Sequence, residues 1–322
     1  MDRLIKPMLM KAMALSHAIF RHALYRLHGV LSETVTIQTK QGRLTMSTKD
    51  DAIGASLFCS RQYEYDSSLR AIRFLKSMGF VPRENLYMLD IGANIGIIST
   101  GLLLANEIQN AVAIEPEPKN FALLVKNVEQ NGLSERVRCL QVAVGDRETT
   151  LTMELSSTNP GDHRIRSTPT EEAIERQNES SRRTVQVPSL PLMQILQLPE
   201  IRNAATAAPS LLWIDVQGYE GYVFAGGKAF LSLGIPTVSE IWPYGIRRAG
   251  MSLEHFASTV SSIWSDYWIE RRNRFTRYPI AVFDRYLEEL GTEDHFENVI
   301  FTKGNRPDTT DTVANNRMES DK

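Results

Sequence analysis

The sequence predicts an α/β fold in which a mostly parallel sheet carries helices on both faces. Three observations predict it. Short apolar runs alternate with helical stretches from Leu86 to Val144, several such runs end in an acidic residue, and a glycine-bearing turn joins one run to its helix. Strand–helix–strand units at this spacing close by right-handed crossovers, and these build a parallel sheet covered on both sides.

The elements follow in order. Met1–His28 place apolar side chains at helical spacing, among them Ile5, Leu9, Met13, Phe20, Leu24 and Leu27, interrupted by Lys6, Lys11, Arg21 and Arg26. A secretory signal needs an uncharged apolar run, and a membrane span needs about twenty apolar residues. Neither is present. Five basic residues stand against Asp2 alone, so residues 1–30 read as an amphipathic helical extension. It packs on the chain's own core or on a partner subunit, with weak contact to a membrane surface as the alternative. His17, His22 and His28 do not share a helical face and make no metal cluster.

Val35–Gln38 and Arg43–Met46 alternate around Gln41-Gly42 and predict a hairpin. Tyr65–Met78 has helical periodicity, stopped by Gly79 and Pro82. Residues 31–84 thus form an N-terminal hairpin and helix cap. Next come a buried strand at Leu86–Ile91, a turn from Gly92 to Gly96, and a helix at Ile97–Leu104. A strand at Ala111–Glu115 precedes a helix at Pro118–Gln130, which closes at Asn131-Gly132, a left-handed stop. Val137–Val144 is the third strand.

Between Arg147 and Val187 the pattern breaks. Leu151–Leu155 has strand character, but Ser156–Thr184 is crowded with Ser, Thr, Glu, Arg and Pro. A polar insertion over 147–187 is functional or disordered. The strand pattern resumes at Leu211–Asp215, with a helix from Glu220 to Ala225, a strand ending at Glu240 and a late strand at Asn298–Thr302. One domain is expected over 85–302 and a disordered tail over 303–322.

Composition narrows the function. Across 322 residues, 36 basic side chains meet 38 acidic ones, for a net charge of −2. That balance argues against bulk electrostatic binding of nucleic acid. Hydrophobic residues at 42% and charged residues at 23% exclude wholesale disorder. Cys59 and Cys139 are far apart and in no Cys-x-x-Cys pair, so neither a zinc site nor a disulfide scaffold is expected. Buried free thiols in a reducing cytoplasm fit.

In an open parallel sheet, ligands bind beyond the carboxyl ends of the strands. Asp90, Glu115, Asp146, Asp215 and Glu240 fall at such ends. Gly92 and Gly96 let the first turn approach a ligand closely, and the following helix offers free N–H groups. Glu115 can accept hydrogen bonds from a ribose diol. A dinucleotide site wants Gly-x-Gly-x-x-Gly, yet Asn94 stands at its second glycine. The leading acid, Asp90, repels a pyrophosphate and suits an ammonium group. A ligand carrying an amino acid, a ribose and an adenine fits better, and S-adenosylmethionine is that ligand.

Asp90-Ile-Gly-Ala-Asn-Ile-Gly96, Glu115-Pro116 and Ile214-Asp-Val-Gln-Gly-Tyr-Glu220 together resemble the FkbM-type methyltransferases. Tyr63-Glu64 and the Asn127…Asn131 helix end agree, and the resemblance runs from about Gln62 to Thr302. It implies a three-layer, Rossmann-like class I methyltransferase sheet of seven strands, mostly parallel with one antiparallel strand. It also implies methyl transfer from S-adenosylmethionine, usually to a hydroxyl oxygen, here of a small molecule or saccharide. Carried over by position, Asp90, Gly92, Asn94 and Gly96 line the methionine side. Glu115 meets the ribose, Pro116 lies by the adenine, and Ala143, Val144 and Asp146 frame the adenine edge. Asp215 faces the methyl and acceptor region. Some relatives carry Glu where this chain has Gln217.

Methyl transfer is an in-line displacement, so positioning supplies much of the catalysis, and a general base adds roughly 10²–10⁴-fold. Asp215 and His163 are the candidate bases, while Glu240 is placed to hold an acceptor hydroxyl. Trp242 and Tyr244 stack on an acceptor or pack under the next helix. Arg271, Arg272, Arg274 and Arg277, interleaved with Trp268, Phe275 and Tyr278, read as a solvated, locally paired face before they read as an RNA surface. A base-amino methyltransferase would show Asn/Asp-Pro-Pro-Tyr/Phe where this chain has Asp215-Val-Gln-Gly. A non-catalytic module would favour an eroded glycine turn, and this turn is intact.

Overall fold

The computed structural model describes residues 20–166, 182–202, 208–291 and 295–304. Its main sheet has eight strands: β1 (Tyr87–Ile91), β2 (Asn110–Ile114), β3 (Val137–Leu140), β4 (Leu211–Ile214), β5 (Thr237–Ile241), β6 (Asp266–Arg271), β7 (Arg274–Pro279) and β8 (Glu297–Thr302). Their order across the sheet is β7-β6-β8-β5-β4-β1-β2-β3. The first five are mutually parallel, and β8 enters antiparallel between β5 and β6. The seven-stranded arrangement with one reversed strand is therefore present. The β6–β7 hairpin extends it by an eighth strand, also reversed.

Strands β1, β4 and β5 are buried along their whole length, as their unbroken apolar runs require. Their side chains feed two cores. One face packs Leu89, Ile91, Leu212, Ile214, Val223 and Phe224 among others. The opposite face packs Met88, Ala111, Leu211, Trp213 and Val238 under helices α1 (Tyr65–Ser77), α2 (Ile97–Leu104) and α3 (Pro118–Gln130).

Several expectations are corrected. The hairpin pairs Thr34–Thr39 with Gly42–Ser47, so its turn is Lys40-Gln41 and not Gln41-Gly42. Gly42 serves a close approach: at φ +107, a Cβ there would stand 2.6 Å from Asn131 Oδ1. Asn127 in α3 then ties the hairpin down, accepting from Thr45 N–H at 2.7 Å and donating to the Thr45 and Ile95 carbonyls.

The third strand is two strands. Val137–Leu140 pairs with β2, whereas Ala143–Gly145 leaves the main sheet and pairs with Arg183–Pro191. The polar insertion supplies the rest of that second sheet, because Thr149–Leu155 runs antiparallel to Arg183–Pro191 and Arg164–Ile165 closes its edge. It hid from the sequence because only a few side chains, such as Met153, Ile165 and Val187, are buried, while its other face is wet. Residues 167–181 and 305–322, including nearly all of the expected tail, lie outside the described residues.

Helix α4 (Glu220–Leu231) runs well past Ala225, through Gly226-Gly227. These glycines are contact points, not a stop. A Cβ on Gly226 would stand 1.9 Å from the Gly145 carbonyl oxygen, which is backbone and cannot step aside. Gly226→Ala is expected to cost about 2–3 kcal/mol through overpacking, lowering the thermal midpoint by roughly 4–8 °C. A melting curve checks this.

At the N-terminus, residues 20–31 form a helix held by Tyr25, whose hydroxyl donates to the Ser47 and Asp50 carbonyls. Residues 1–19 lie outside the described residues. Among the described residues no helix is long and apolar enough to cross a membrane. Cys59 and Cys139 are free but half-buried, not fully buried. In the basic hairpin, Arg271 pairs with Glu297 and Arg277 with Asp266. Trp242 and Tyr244 are buried packing residues, with the Arg164 guanidinium 4.6 Å from the Trp242 ring centroid.

Candidate active site

A cavity of about 960 Å³ opens at the carboxyl ends of β1, β2 and β4. Its floor is the turn after β1. Gly92 and Gly96 both adopt φ +83 and Asn94 adopts φ +51, left-handed values that glycine and asparagine reach at little cost. Gly92 also permits contact between two strand ends, since a Cβ there would lie 1.8 Å from the Asp215 carbonyl oxygen.

Of the residues expected to bind cofactor, Asp90, Gly92, Asn94, Glu115, Pro116, Ala143 and Val144 line this cavity together. Gly96 and Asp146 do not. Gly96 faces Leu124, where a Cβ would come within 2.7 Å of its methyl group. Asp146 turns toward Arg147, at 3.6 Å. Of the expected acceptor-side residues, Asp215 and His163 line the cavity, whereas Glu240 is buried behind Gln217.

The carboxylates are fixed by short contacts. Glu115 accepts from the backbone N–H of Asn94 at 3.0 Å and of Glu117 at 2.9 Å, which orients both oxygens at the lip of β2. Asp90 accepts from Ser99 Oγ at 2.6 Å. Gln217, left-handed at φ +55, donates from Nε2 to Asp215 Oδ1 at 2.7 Å and to Glu240 Oε1 at 2.9 Å. An amide can serve both carboxylates; a glutamate at 217 would add a third negative charge. Below it, Glu220 accepts from the N–H groups of Val216 and Gly218 and holds the turn.

His163 is half-buried just after the turn Pro160–Asp162, whose Pro160 carbonyl accepts from Asn120 Nδ2. Its Nδ1 accepts the Ser156 N–H at 3.0 Å. Burial lowers its pKa to about 4, so it is neutral at neutral pH and its hydrogen sits on Nε2. The imidazole's remaining hydrogen-bonding group is therefore the Nε2–H donor.

Sequence reasoning missed three members of the site. Glu64, at φ +53 before α1, lines the cavity, Gln217 bridges two acids, and Glu220 anchors the turn. Glu64 and Gln217 were visible only as parts of motifs; their tertiary neighbours give them roles.

Four carboxylates line the cavity, Glu64, Asp90, Glu115 and Asp215, and no lysine or arginine does among the described residues. Burial raises them, to about 7 for Glu64, 6 for Asp90, 8 for Glu115 and 6 for Asp215. Such a lining favours a cation and opposes a pyrophosphate. It also has a stability consequence. Carboxyls with raised folded-state pKa values contribute stability that is full below their unfolded values and lost as pH rises through about 6–8. His163, depressed to about 4, makes the opposite contribution, lost as pH falls from about 6.5. Four raised carboxyls outweigh one depressed histidine, so the ligand-free chain is expected to melt progressively lower as pH rises from about 5 to 8 and to level off beyond, which a pH series of melting curves checks.

The family model described as the methyltransferase FkbM domain matches residues 90–266. A search of curated proteins finds no match. Among solved structures, the chain is similar to precorrin-6Y C5,15-methyltransferase from Geobacter metallireducens, at 9% identity and TM-score 0.36, covering 74% of this chain and 87% of that one. It is also similar to the C-terminal domain of the same enzyme from Rhodobacter capsulatus, at 14% identity and TM-score 0.33, covering 74% and 89%. A tRNA methyltransferase of B. subtilis matches at 12% identity and TM-score 0.33, covering 73% and 66%. Identities this low say nothing about the substrate.

Proposed function

The chain belongs to the FkbM methyltransferase family and uses S-adenosylmethionine, and from that premise we propose that it methylates a hydroxyl oxygen of a small molecule or saccharide. The observation that carries the reading is Asp215, a half-buried carboxylate at the carboxyl end of β4, tethered through Oδ1 in a cavity with no Lys or Arg among its described lining.

The residues fit the cofactor. Glu115 keeps an acceptor lone pair on each oxygen for a ribose diol, and Asp90, bonded on one oxygen to Ser99, suits an ammonium group. Pro116, Ala143 and Val144 offer an apolar slot for an adenine. When bound, S-adenosylmethionine supplies an electrophilic methyl group on a sulfonium. Gly96 supports the turn by packing on Leu124, and Asp146, turned to Arg147, has no part in the cofactor site.

On the acceptor side, Asp215 takes the hydroxyl proton. Its pKa of about 6 leaves it charged at neutral pH yet close enough to exchange a proton. Glu240, its pKa pushed well up by burial and by the neighbouring Asp215, acts through Gln217 as a positioning residue. His163 donates from Nε2–H to the acceptor oxygen or its neighbour. The free thiols of Cys59 and Cys139 suit a reducing cytoplasm.

The test is methyl transfer from isotope-labelled S-adenosylmethionine to panels of alcohols, glycosides, amines and oligonucleotides. The expected product is a methyl ether, identified by carbon–oxygen connectivity in its NMR spectrum. A methyl group found only on nitrogen or carbon would sink the reading.

A further inference from the structure

A second cleft, of about 970 Å³, opens on the same edge of the main sheet, and Trp213 walls both cavities. Register shows how they lie side by side. Paired residues of neighbouring strands point to one face, so Asp90, Trp213, Val238 and Ile300 form a single row across the sheet. The next row toward the carboxyl edge begins at Asp215, two residues beyond Trp213. It continues through the pairs Glu240–Asn298 and Glu270–Phe275. The second cleft lies over the outer part of these rows. Its other wall is the start of α1, through Ser67, Arg70 and Ala71, while Tyr63 and Glu64, just before that helix, line the first cavity. One helix start thus overhangs both.

The chemistry of the two clefts differs. The first is acidic. The second pairs Arg70 with Glu270, presents Arg272 and Asn273 from a left-handed turn at φ +51 and +63, and adds Asn298. Its charges are mixed, so it selects for no net charge. Three aromatic rings, Trp213, Phe275 and Phe296, lie among these planar polar groups, and Phe296 is 55% exposed. Aromatic faces take the C–H face of a sugar ring, and guanidinium, carboxylate and amide groups take its hydroxyls in pairs.

We propose that this cleft is the acceptor site and that its occupant is a neutral saccharide, lying past Trp213 with one ring hydroxyl at Asp215. The proposal rests on the O-methyl transfer reading and specifies its substrate class.

The experiment uses the full chain, S-adenosylhomocysteine and methyl hexopyranosides carrying a photoreactive diazirine. Labelled positions are mapped by mass spectrometry. Labelling is expected at 272–275 and around 296. Phe296→Ala and Arg272→Asn, the latter keeping a residue that tolerates the left-handed turn, should each lower it at least tenfold. Both sites are exposed, and affinity for S-adenosylhomocysteine should stay within twofold. Labelling elsewhere, labelling indifferent to both substitutions, or no labelling at saturating sugar overturns the acceptor assignment. The transfer reading fails separately, if the methyl group of labelled S-adenosylmethionine ends on an atom other than oxygen.

Discussion

Glu115→Ala is expected to weaken S-adenosylhomocysteine binding by roughly 10²–10⁴-fold. Hydrogen bonds to a charged acceptor are worth about 1.5–3 kcal/mol each, and a ribose diol would make two. The change also strips the Asn94 and Glu117 N–H groups of their acceptor, so the turn after β1 loosens with it. Glu115→Gln is not a mild substitute. One of its ends becomes an NH₂ donor facing a backbone donor, and a loss close to that of alanine is expected. Calorimetric titration with S-adenosylhomocysteine measures both, alongside the ligand-free melting temperature, which should fall far less than affinity. Wild-type affinity should rise with pH toward about 8, because the carboxylate accepts from both hydroxyls and the carboxylic acid does not. Affinity unchanged by either substitution would remove Glu115 from the site.

Asp215→Asn is expected to lower kcat by roughly 10²–10⁴-fold, the usual contribution of a general base. The asparagine Oδ1 can still accept from Gln217, so the turn stays closed and cofactor affinity should hold within a few-fold. The pH profile separates a base from a spacer. Asp215 must be deprotonated to act, so wild-type kcat should climb with pH and level off above about 6, whereas the residual rate of the variant should lack that step. A variant with full kcat, or one that keeps the same acid limb, would show that desolvation and positioning suffice.

Particular residues show where sequence reading succeeds and where it stops. The turn Asp90–Gly96 was legible because its conformations are dictated locally: left-handed φ values at 92, 94 and 96 call for Gly, Asn and Gly. The acids at strand ends were legible for the same reason, since a period of two and a strand's end are features of the chain itself. Glu240 was legible as an acid but not as a buried one, because its screen, Gln217, comes from the neighbouring strand's turn. The second sheet was opaque, as its two long strands are separated by dozens of residues and bury only one sparse face.

By itself, then, the sequence determined the parallel sheet, the left-handed turn after β1 and the acid that follows β2, all set by periodicity and backbone conformation over a few residues. Tertiary structure alone decided that Ala143–Gly145 leaves the main sheet, that Gly226 is a contact point rather than a helix stop, that a backbone N–H occupies His163 Nδ1, and that Trp213 walls two clefts. Each of those depends on which distant groups come within a few ångströms, where a carbonyl oxygen, a backbone N–H or a neighbouring charge fixes what a side chain can do.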